Sequence, residues 1–194
     1  IGNQNNEELI SEPGNSAGVI TVAAYSSKRT WTDCANAAGI GFVGSPLVGQ
    51  LATFSSPGPT RDGRQKPDIA APGTAIGSTT SFDIAQACAS PSLNLNDGMM
   101  HTINQGTSMS APHVTGATAL ILQKYGAVTP AFVKTFLNGR AIIDGNTGAP
   151  WNKDWGNGKL FLGDMVDPTV AVTSPNGGEI LQASTSANLT WNAN

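Results

Sequence analysis

The stretch NQGTSMSAPHVTGA, residues 104–117, places a serine directly after a Gly-Thr pair at the predicted start of a helix. The helical pattern covers residues 108–125, and Thr107 is the predicted N-cap. A helix N-terminus presents free N–H groups and a partial positive charge, so a negatively charged oxygen formed beside Ser108 would be stabilised there. Gly106 has no side chain, which lets a substrate backbone approach closely. The stretch therefore predicts a serine nucleophile in the first turn of a helix.

This stretch also carries a resemblance to a known family. The string GTSMSAPHVTG, residues 106–116, strongly resembles the nucleophile motif of the subtilisin-like serine proteases. In that family the serine after Gly-Thr attacks the scissile carbonyl, so the resemblance implies that Ser108 is the catalytic nucleophile. It also implies that Gly106 and Thr107 bind substrate. The alternative, a helix capped by serine and threonine without chemistry, would require so long a match to arise by chance.

Two further segments resemble the same family, in the same order along the chain. FSSPGPTRDGRQKPDIAAPG, residues 54–73, is similar to the loop and strand ahead of the nucleophile, and WGNGKLFL, residues 155–162, to the segment that closes the catalytic domain. The resemblance covers residues 1–166, with a poor match over 26–48 and 80–98. It implies a serine endopeptidase that forms an acyl-enzyme with protein or peptide substrates and needs no organic cofactor.

The Gly2-Asn3 pair resembles the family's Gly-Asn pair, whose asparagine amide completes the oxyanion hole. By this resemblance Asn3 donates one hydrogen bond to the oxyanion and the Ser108 backbone N–H donates another. Gly2 would line the specificity pocket. The alternative for Asn3 is an ordinary turn residue.

The family's catalytic aspartate and histidine precede this asparagine, so we expect the chain, which begins at Ile1, to be the C-terminal part of a catalytic domain without either residue. His113 lies five residues after Ser108, roughly 140° around the helix axis, and should face away from the serine. His101 has no matching role, and Asp68 is interpreted as structural. A serine hydroxyl without a base is a poor nucleophile at neutral pH. We therefore expect the chain alone to be nearly inactive.

Two alternatives of other classes stay open. The chain can be a non-catalytic piece that serves as a folding or interaction module. Its unpaired strand edges would then bind the N-terminal part of the protease domain or a second copy of the chain. A serine esterase of another fold is disfavoured, because the motif lacks the GxSxG elbow.

The apolar patterns agree with the α/β class that the resemblance implies. Apolar runs at residues 19–25, 49–55 and 69–79 predict strands, and a second helix is predicted over 130–138 with Thr129 as its N-cap. Small residues around much of the first helix predict a helix threaded through a packed core. The resemblance implies an incomplete three-layer, subtilisin-like fold with a mostly parallel sheet between helices.

The C-terminal residues have a different texture. Residues 167–194 alternate apolar and polar side chains around an Asn-Gly-Gly turn, which predicts short antiparallel strands. They resemble the opening of the immunoglobulin-like modules appended to secreted bacterial enzymes. We therefore expect two parts, a protease portion at 1–166 and, at 167–194, a linker with the truncated start of a β-sandwich.

The composition restricts the classes of function. Only 12% of the 194 residues are charged and the net charge is −3, so no basic surface predicts binding to nucleic acid. The apolar runs are too short and too interrupted to predict a membrane span. The turn-rich, weakly charged composition and the resemblance together predict a secreted, extracellular protein.

Cysteines and metal ligands leave open questions. Cys34 and Cys88 permit one disulfide or two unpaired thiols. Asn94, Asn96 and Asp97 could bind calcium, an ion common in the family, but a solvated polar loop is the preferred interpretation and no metal site is predicted.

Overall fold

The computed structural model describes residues 7–81, 88–163, 170–174 and 190–193. The chain divides into two compact units, residues 1–162 and residues 163–194. The described strands and helices are β1 (Val22–Ser26), β2 (Thr30–Trp31), β3 (Ile40–Gly41), β4 (Ile69–Thr74), β5 (Ile76–Thr79), β6 (His101–Asn104), α1 (Thr107–Tyr125), α2 (Pro130–Arg140), β7 (Val170–Ser174) and β8 (Thr190–Ala193).

A parallel pair of strands forms the centre of the first unit. Strand β1 pairs with β4, with Val22 opposite Ile69 along the register. Nearly every residue of β4 is buried, which is typical of a parallel strand that is covered on both faces. On the other edge of β4, Ala70 donates its N–H to the carbonyl of Gly158 at 2.8 Å and accepts from the N–H of Leu160 at 2.7 Å. The predicted α/β class with a parallel sheet is confirmed.

Residues 49–55 do not form the predicted strand. They lie as an irregular segment against β1, where the N–H of Ser26 donates to the carbonyl of Gln50 and the N–H of Ala52 donates to the carbonyl of Ala24, both at 2.9 Å. Gln50 also closes a turn, with its N–H bonded to the carbonyl three residues earlier. A second turn, in which the N–H of Ser55 donates to the carbonyl of Ala52 at 2.9 Å, bends the backbone, so the apolar run does not continue as a regular ladder along β1.

A disulfide and a buried carboxylate join two loops beside the sheet. Cys34 and Cys88 are bonded to each other. The neighbouring Asp33 is fully buried and accepts hydrogen bonds from the N–H groups of Ala37 at 2.9 Å and Ser92 at 3.2 Å. Burial raises the pKa of the Asp33 carboxyl, but its hydrogen bonds outweigh burial and hold that pKa below its usual value. The loop at residues 88–98 is therefore fixed to the loop that follows β2.

Replacing both Cys34 and Cys88 with serine is expected to lower the free energy of unfolding by about 2–4 kcal/mol, because the bond closes a long loop in the unfolded chain. The two cysteines are separated by 54 residues. Urea unfolding followed by circular dichroism measures the loss. Reductant should lower the unfolding midpoint of the wild-type protein to that of the variant and leave the midpoint of the variant unchanged. An equal midpoint for the two proteins without reductant would contradict the prediction.

Helix α1 packs one face against β1 and β4. Its buried residues are three or four positions apart: Ser110, Val114, Ala117 and Ile121. The prediction that the helix is threaded through a packed core is wrong, because its small residues Ala111, Gly116 and Ala119 are exposed among the described residues. Small side chains occur on both faces of this helix, so their number does not identify the packed face.

Helix α2 begins where its N-cap predicts. The Thr129 hydroxyl oxygen accepts a hydrogen bond from the N–H of Phe132 at 3.2 Å, and Pro130 occupies the first turn, where it costs no hydrogen bond. Val133 and Leu137 are buried. None of the helices described in this structure has the length and apolar character to cross a membrane.

In the second unit, β7 pairs with β8 in antiparallel orientation. This pairing agrees with the alternating pattern of the sequence. The predicted Asn-Gly-Gly turn lies outside the described residues. The assignment of residues 167–194 to an immunoglobulin-like module stays a prediction.

Candidate active site

Ser108 is exposed in the first turn of α1. The helix begins at Thr107, so the predicted N-cap is already helical, and the N-cap position is taken by Gly106 with φ 147° and no side-chain hydrogen bond. A glycine suits this position because a side chain disfavours so positive a φ. The N–H groups of a first helical turn lack intrahelical acceptors. Met109 donates its N–H to the carbonyl of Gly106 at 2.9 Å, while the N–H of Ser108 has no acceptor among the described residues and is free to stabilise a negative oxygen formed there.

The start of α1 is fixed directly on the end of β4. The N–H of Gly106 donates to the carbonyl of Gly73 at 2.8 Å, and the Ser110 hydroxyl donates to the carbonyl of Ala71 at 3.1 Å. A Cβ added to Gly73 would lie 2.3 Å from Ser110 Oγ and 2.6 Å from the Ala24 Cβ. The helix that carries Ser108 can approach the strand this closely because residue 73 has no side chain.

Gly73→Ala is expected to lower the free energy of unfolding by about 1–3 kcal/mol, because the added methyl group overpacks the contact between α1 and β4. Gly116→Ala is the matched control, since a Cβ there meets nothing within 4 Å. The control should be neutral or slightly stabilising, because alanine has a higher helix propensity than glycine. Thermal unfolding of both variants measures the difference; a loss of equal size in the two would contradict this role of Gly73.

A buried ion network is centred on Asp68, the residue that follows Pro67. The Asp68 carboxylate bonds the Lys66 ammonium at 2.7 Å and the Lys134 ammonium at 2.6 Å, and it accepts the N–H of Thr21 at 2.8 Å. The side chains of Lys66 and Asp68 are each only 2% exposed. Burial lowers the pKa of Lys66, and the hydrogen bond that its ammonium donates to Asp68 opposes that shift. The network joins the start of β4 to the residue before β1 and to α2, which agrees with a structural role for Asp68.

Ser108 lines a cleft of about 400 Å³, called here the Ser108 cleft. Thr107 also lines it, together with the turn before β1 and the residue before Asp68. The described residues around the cleft are Ile10, Ser11, Glu12, Pro13, Gly14, Ile20, Thr21, Val22, Ser56, Pro67, Thr107, Ser108 and Ala111. The cleft is large enough to receive one amino-acid side chain of a peptide bound at the serine.

Neither histidine of the sequence bonds to Ser108. His113 lies on the same helix, and its Nδ1 donates to the carbonyl of Met109 at 2.8 Å. The Nδ1 of His101 bonds the Asp97 carboxylate at 2.5 Å, and this contact lowers the pKa of Asp97. Among the described residues, then, no histidine is placed to take a proton from Ser108.

The other predicted site residues are only partly described. Gly2 and Asn3 lie outside the described residues, so their proposed roles stay predictions. Asn96 donates to the Asn36 side chain at 3.2 Å, and Asp97 accepts the N–H of Met100 at 3.1 Å. No group of three or more histidine, cysteine or acidic residues in the described ranges could hold a metal. Calcium binding at this loop stays untested.

The turn at residues 11–15 forms one wall of the Ser108 cleft, a position that the sequence did not predict. The Pro-Gly pair at positions 13 and 14 signals a turn. Nothing local to the turn indicates that it faces Ser108, because the two segments are far apart in sequence and meet only through the fold.

Comparisons with known proteins agree on one family. The subtilase family model matches residues 1–163. Serine protease AprX of Bacillus subtilis is 36% identical over 130 residues, which are 67% of this chain and 26% of that protein. The uncharacterised protein aq_aa18 of Aquifex aeolicus is 36% identical over 141 residues, 71% of this chain and 56% of that protein. The chain thus spans about half the length of one relative and about a quarter of the other.

A solved structure also shows similarity to a protein related to subtilisin. Fervidolysin from Fervidobacterium pennivorans, a keratinolytic enzyme related to subtilisin, is similar over 77% of this chain and 19% of that chain. The identity is 30% and the TM-score is 0.51. The fold of this chain, over the part that is covered, is therefore similar to part of a known protease fold.

Proposed function

The chain belongs to the subtilase family of serine peptidases, and on this premise we propose that it carries the nucleophile, Ser108, of a serine endopeptidase. One observation carries the proposal: Ser108 is exposed at the N-terminus of a helix fixed on the central sheet, and it lines a cleft. A serine in this position can reach a peptide bound in the cleft, and the helix end favours the charge that forms during attack.

The proposed reaction is acyl transfer to serine and then to water. Ser108 Oγ attacks the carbonyl carbon of the scissile bond while a base takes its proton, and the carbonyl oxygen becomes an oxyanion. The backbone N–H of Ser108 and the side-chain amide of Asn3 are proposed to donate hydrogen bonds to that oxyanion. The C–N bond then breaks as the amine leaves with a proton, and water hydrolyses the ester on Ser108. Gly106, Thr107 and Gly2 are proposed to contact the substrate.

The base is proposed to come from protein outside this sequence. The sequence contains two histidines, and both are bonded to groups other than Ser108. General-base assistance contributes about 10²–10⁴-fold to such reactions. The chain by itself should therefore react slowly. All groups in the proposed reaction are protein groups or water, so we propose no organic cofactor.

We propose that the protein acts outside the cytoplasm. The Cys34–Cys88 disulfide supports this location, since such bonds persist in oxidising compartments and are rare in the cytosol. Its proposed substrates are proteins or peptides in that compartment.

A fluorophosphonate probe tests the assignment of Ser108. The intact gene product, with any sequence that precedes or follows this chain, is treated with the probe, and the adduct is located by mass spectrometry. One adduct per molecule on Ser108 is expected, because only an activated serine reacts with such a reagent. An adduct on another serine, or none, would overturn the proposal.

An apolar groove favours a second candidate function, association with another polypeptide. The groove, of about 430 Å³, lies between α1, α2 and the residues leading into β1, and Ile20, Val22, Val114, Leu122 and Val133 are among its lining residues. Exposed apolar grooves are often covered by a partner. We propose that it binds the N-terminal part of the protease domain or a second copy of the chain. Sedimentation of the purified chain over a range of concentrations tests this; a monomer at every concentration would exclude self-association.

A further inference from the structure

We propose that Glu12 makes the Ser108 cleft selective for a positively charged peptide side chain, lysine or arginine, next to the bond that is cleaved. The inference rests on the proposed function of Ser108 and adds the chemistry of the preferred substrate. It follows from three observations. Glu12 carries the charge in the cleft, its turn is held by hydrogen bonds, and its carboxylate has no partner among the described residues.

Glu12 is the one ionisable side chain among the described residues that line the Ser108 cleft. The other lining residues are apolar, such as Ile10 and Val22, or neutral and polar, such as Thr21. A side chain that enters the cleft therefore meets apolar walls and a single negative charge. The long apolar stem of lysine or arginine suits such walls, and its charged head suits the carboxylate.

The turn that carries Glu12 is held in place by hydrogen bonds at both ends. The N–H of Asn15 donates to the carbonyl of Ser11 at 3.2 Å, and the N–H of Ser16 donates to the carbonyl of Pro13 at 3.0 Å. The Thr21 hydroxyl, next to β1, donates to the carbonyl of Gly14. The first two bonds close the turn, and the Thr21 bond attaches it to the residue before β1, the strand against which α1 packs. The distance between Glu12 and Ser108 is thus set by the fold and not by a free loop.

Within the described part of the chain, the Glu12 carboxylate has no ion-pair or hydrogen-bond partner. Two arginines line an adjoining cleft of about 470 Å³ that Glu12 also lines. Arg64 is paired with Asp62 at 2.8 Å, and Arg61 makes no ion pair with Glu12. Lys66, the residue before Pro67 of the cleft lining, is paired with Asp68. The carboxylate is therefore available to a substrate cation.

The test compares two tripeptides that differ at one position, one with lysine and the other with norleucine, which has a similar aliphatic chain and no charge. Binding is measured by calorimetry on the intact protein carrying Ser108→Ala, so the peptides are not cleaved. Because Glu12 is exposed and an ion pair there is screened by solvent, we expect lysine to bind about 2- to 5-fold more tightly. Adding Glu12→Gln should remove this preference and leave the norleucine affinity unchanged.

Glu8→Gln is the matched control, because Glu8 lines the adjoining cleft and does not line the Ser108 cleft. The control removes the same charge and should keep the lysine preference. Equal binding of both peptides to the protein with Glu12, or an equal preference after Glu12→Gln, would overturn the inference. The fluorophosphonate experiment addresses the reactivity of Ser108 separately, so a failure of either proposal can be told from a failure of the other.

Discussion

Ser108→Ala is expected to abolish labelling by a fluorophosphonate and to reduce peptide hydrolysis by the intact protein by at least about 10²–10⁴-fold. That range is the contribution of base-assisted attack alone, and the substitution removes the attacking oxygen itself. The side chain of Ser108 is exposed and makes no hydrogen bond to a described residue. Its removal should therefore leave the unfolding temperature nearly unchanged. Mass spectrometry measures the labelling by the fluorophosphonate, and cleavage of a quenched fluorescent peptide measures the rate of hydrolysis.

Ser110→Ala is the control for this experiment. Ser110 is in the same helical turn, but its hydroxyl is buried and donates to the carbonyl of Ala71. Its loss should cost about 1 kcal/mol of stability through the missing hydrogen bond, while Ser108 stays reactive. Residual hydrolysis by Ser108→Ala at the wild-type rate, or loss of labelling in Ser110→Ala without unfolding, would contradict the assignment.

Asp68→Ala is expected to have the largest effect on stability, a loss of about 3–5 kcal/mol in the free energy of unfolding. The substitution leaves the buried ammonium of Lys66 without its carboxylate, and an uncompensated buried charge is costly. It also leaves the N–H of Thr21 without its acceptor. Chemical unfolding of the variant, followed by tryptophan fluorescence, measures the loss.

Two further variants separate the buried pair from its exposed partner. Lys134 is 33% exposed, so Lys134→Met should cost at most about 1 kcal/mol. Lys66→Met combined with Asp68→Ala removes both buried charges and should recover much of the loss, because a buried pair adds little net stability over apolar residues. The stability losses of Lys66→Met and of Asp68→Ala are also measured singly. A double variant whose loss equals the sum of these two losses would show that the charges do not act on each other.

The sequence allowed the local features to be predicted and left several long-range ones undetermined. The helix at Ser108 and the N-cap at Thr129 follow from short-range rules of spacing and capping, and both helices start within one residue of the prediction. The strand predicted at 49–55 did not form because an apolar run does not reveal the turn between Ala52 and Ser55 that interrupts it. Apolar runs of this length fit several structures, and tertiary contacts decide among them.

Contacts between distant segments could not be predicted at all. Asp68 gave no sign of bonding Lys134 on α2, and Glu12 gave no sign of facing Ser108. Sequence spacing carries this information only within one helix or strand. The family resemblance supplied the identity of the nucleophile, but it did not supply the charge of the cleft, since Glu12 lies outside the quoted motifs.

The central position of β4 has a consequence for how the molecule opens. Local opening frees segments with few buried contacts, while the most buried elements open only when the whole unit unfolds. β4 is bonded along both edges and supports α1 through Gly73. The amide hydrogens of β4 should therefore exchange with solvent only through global unfolding. Proteases cleave segments that open locally, so β4 and the start of α1 should be among the described segments that resist digestion longest.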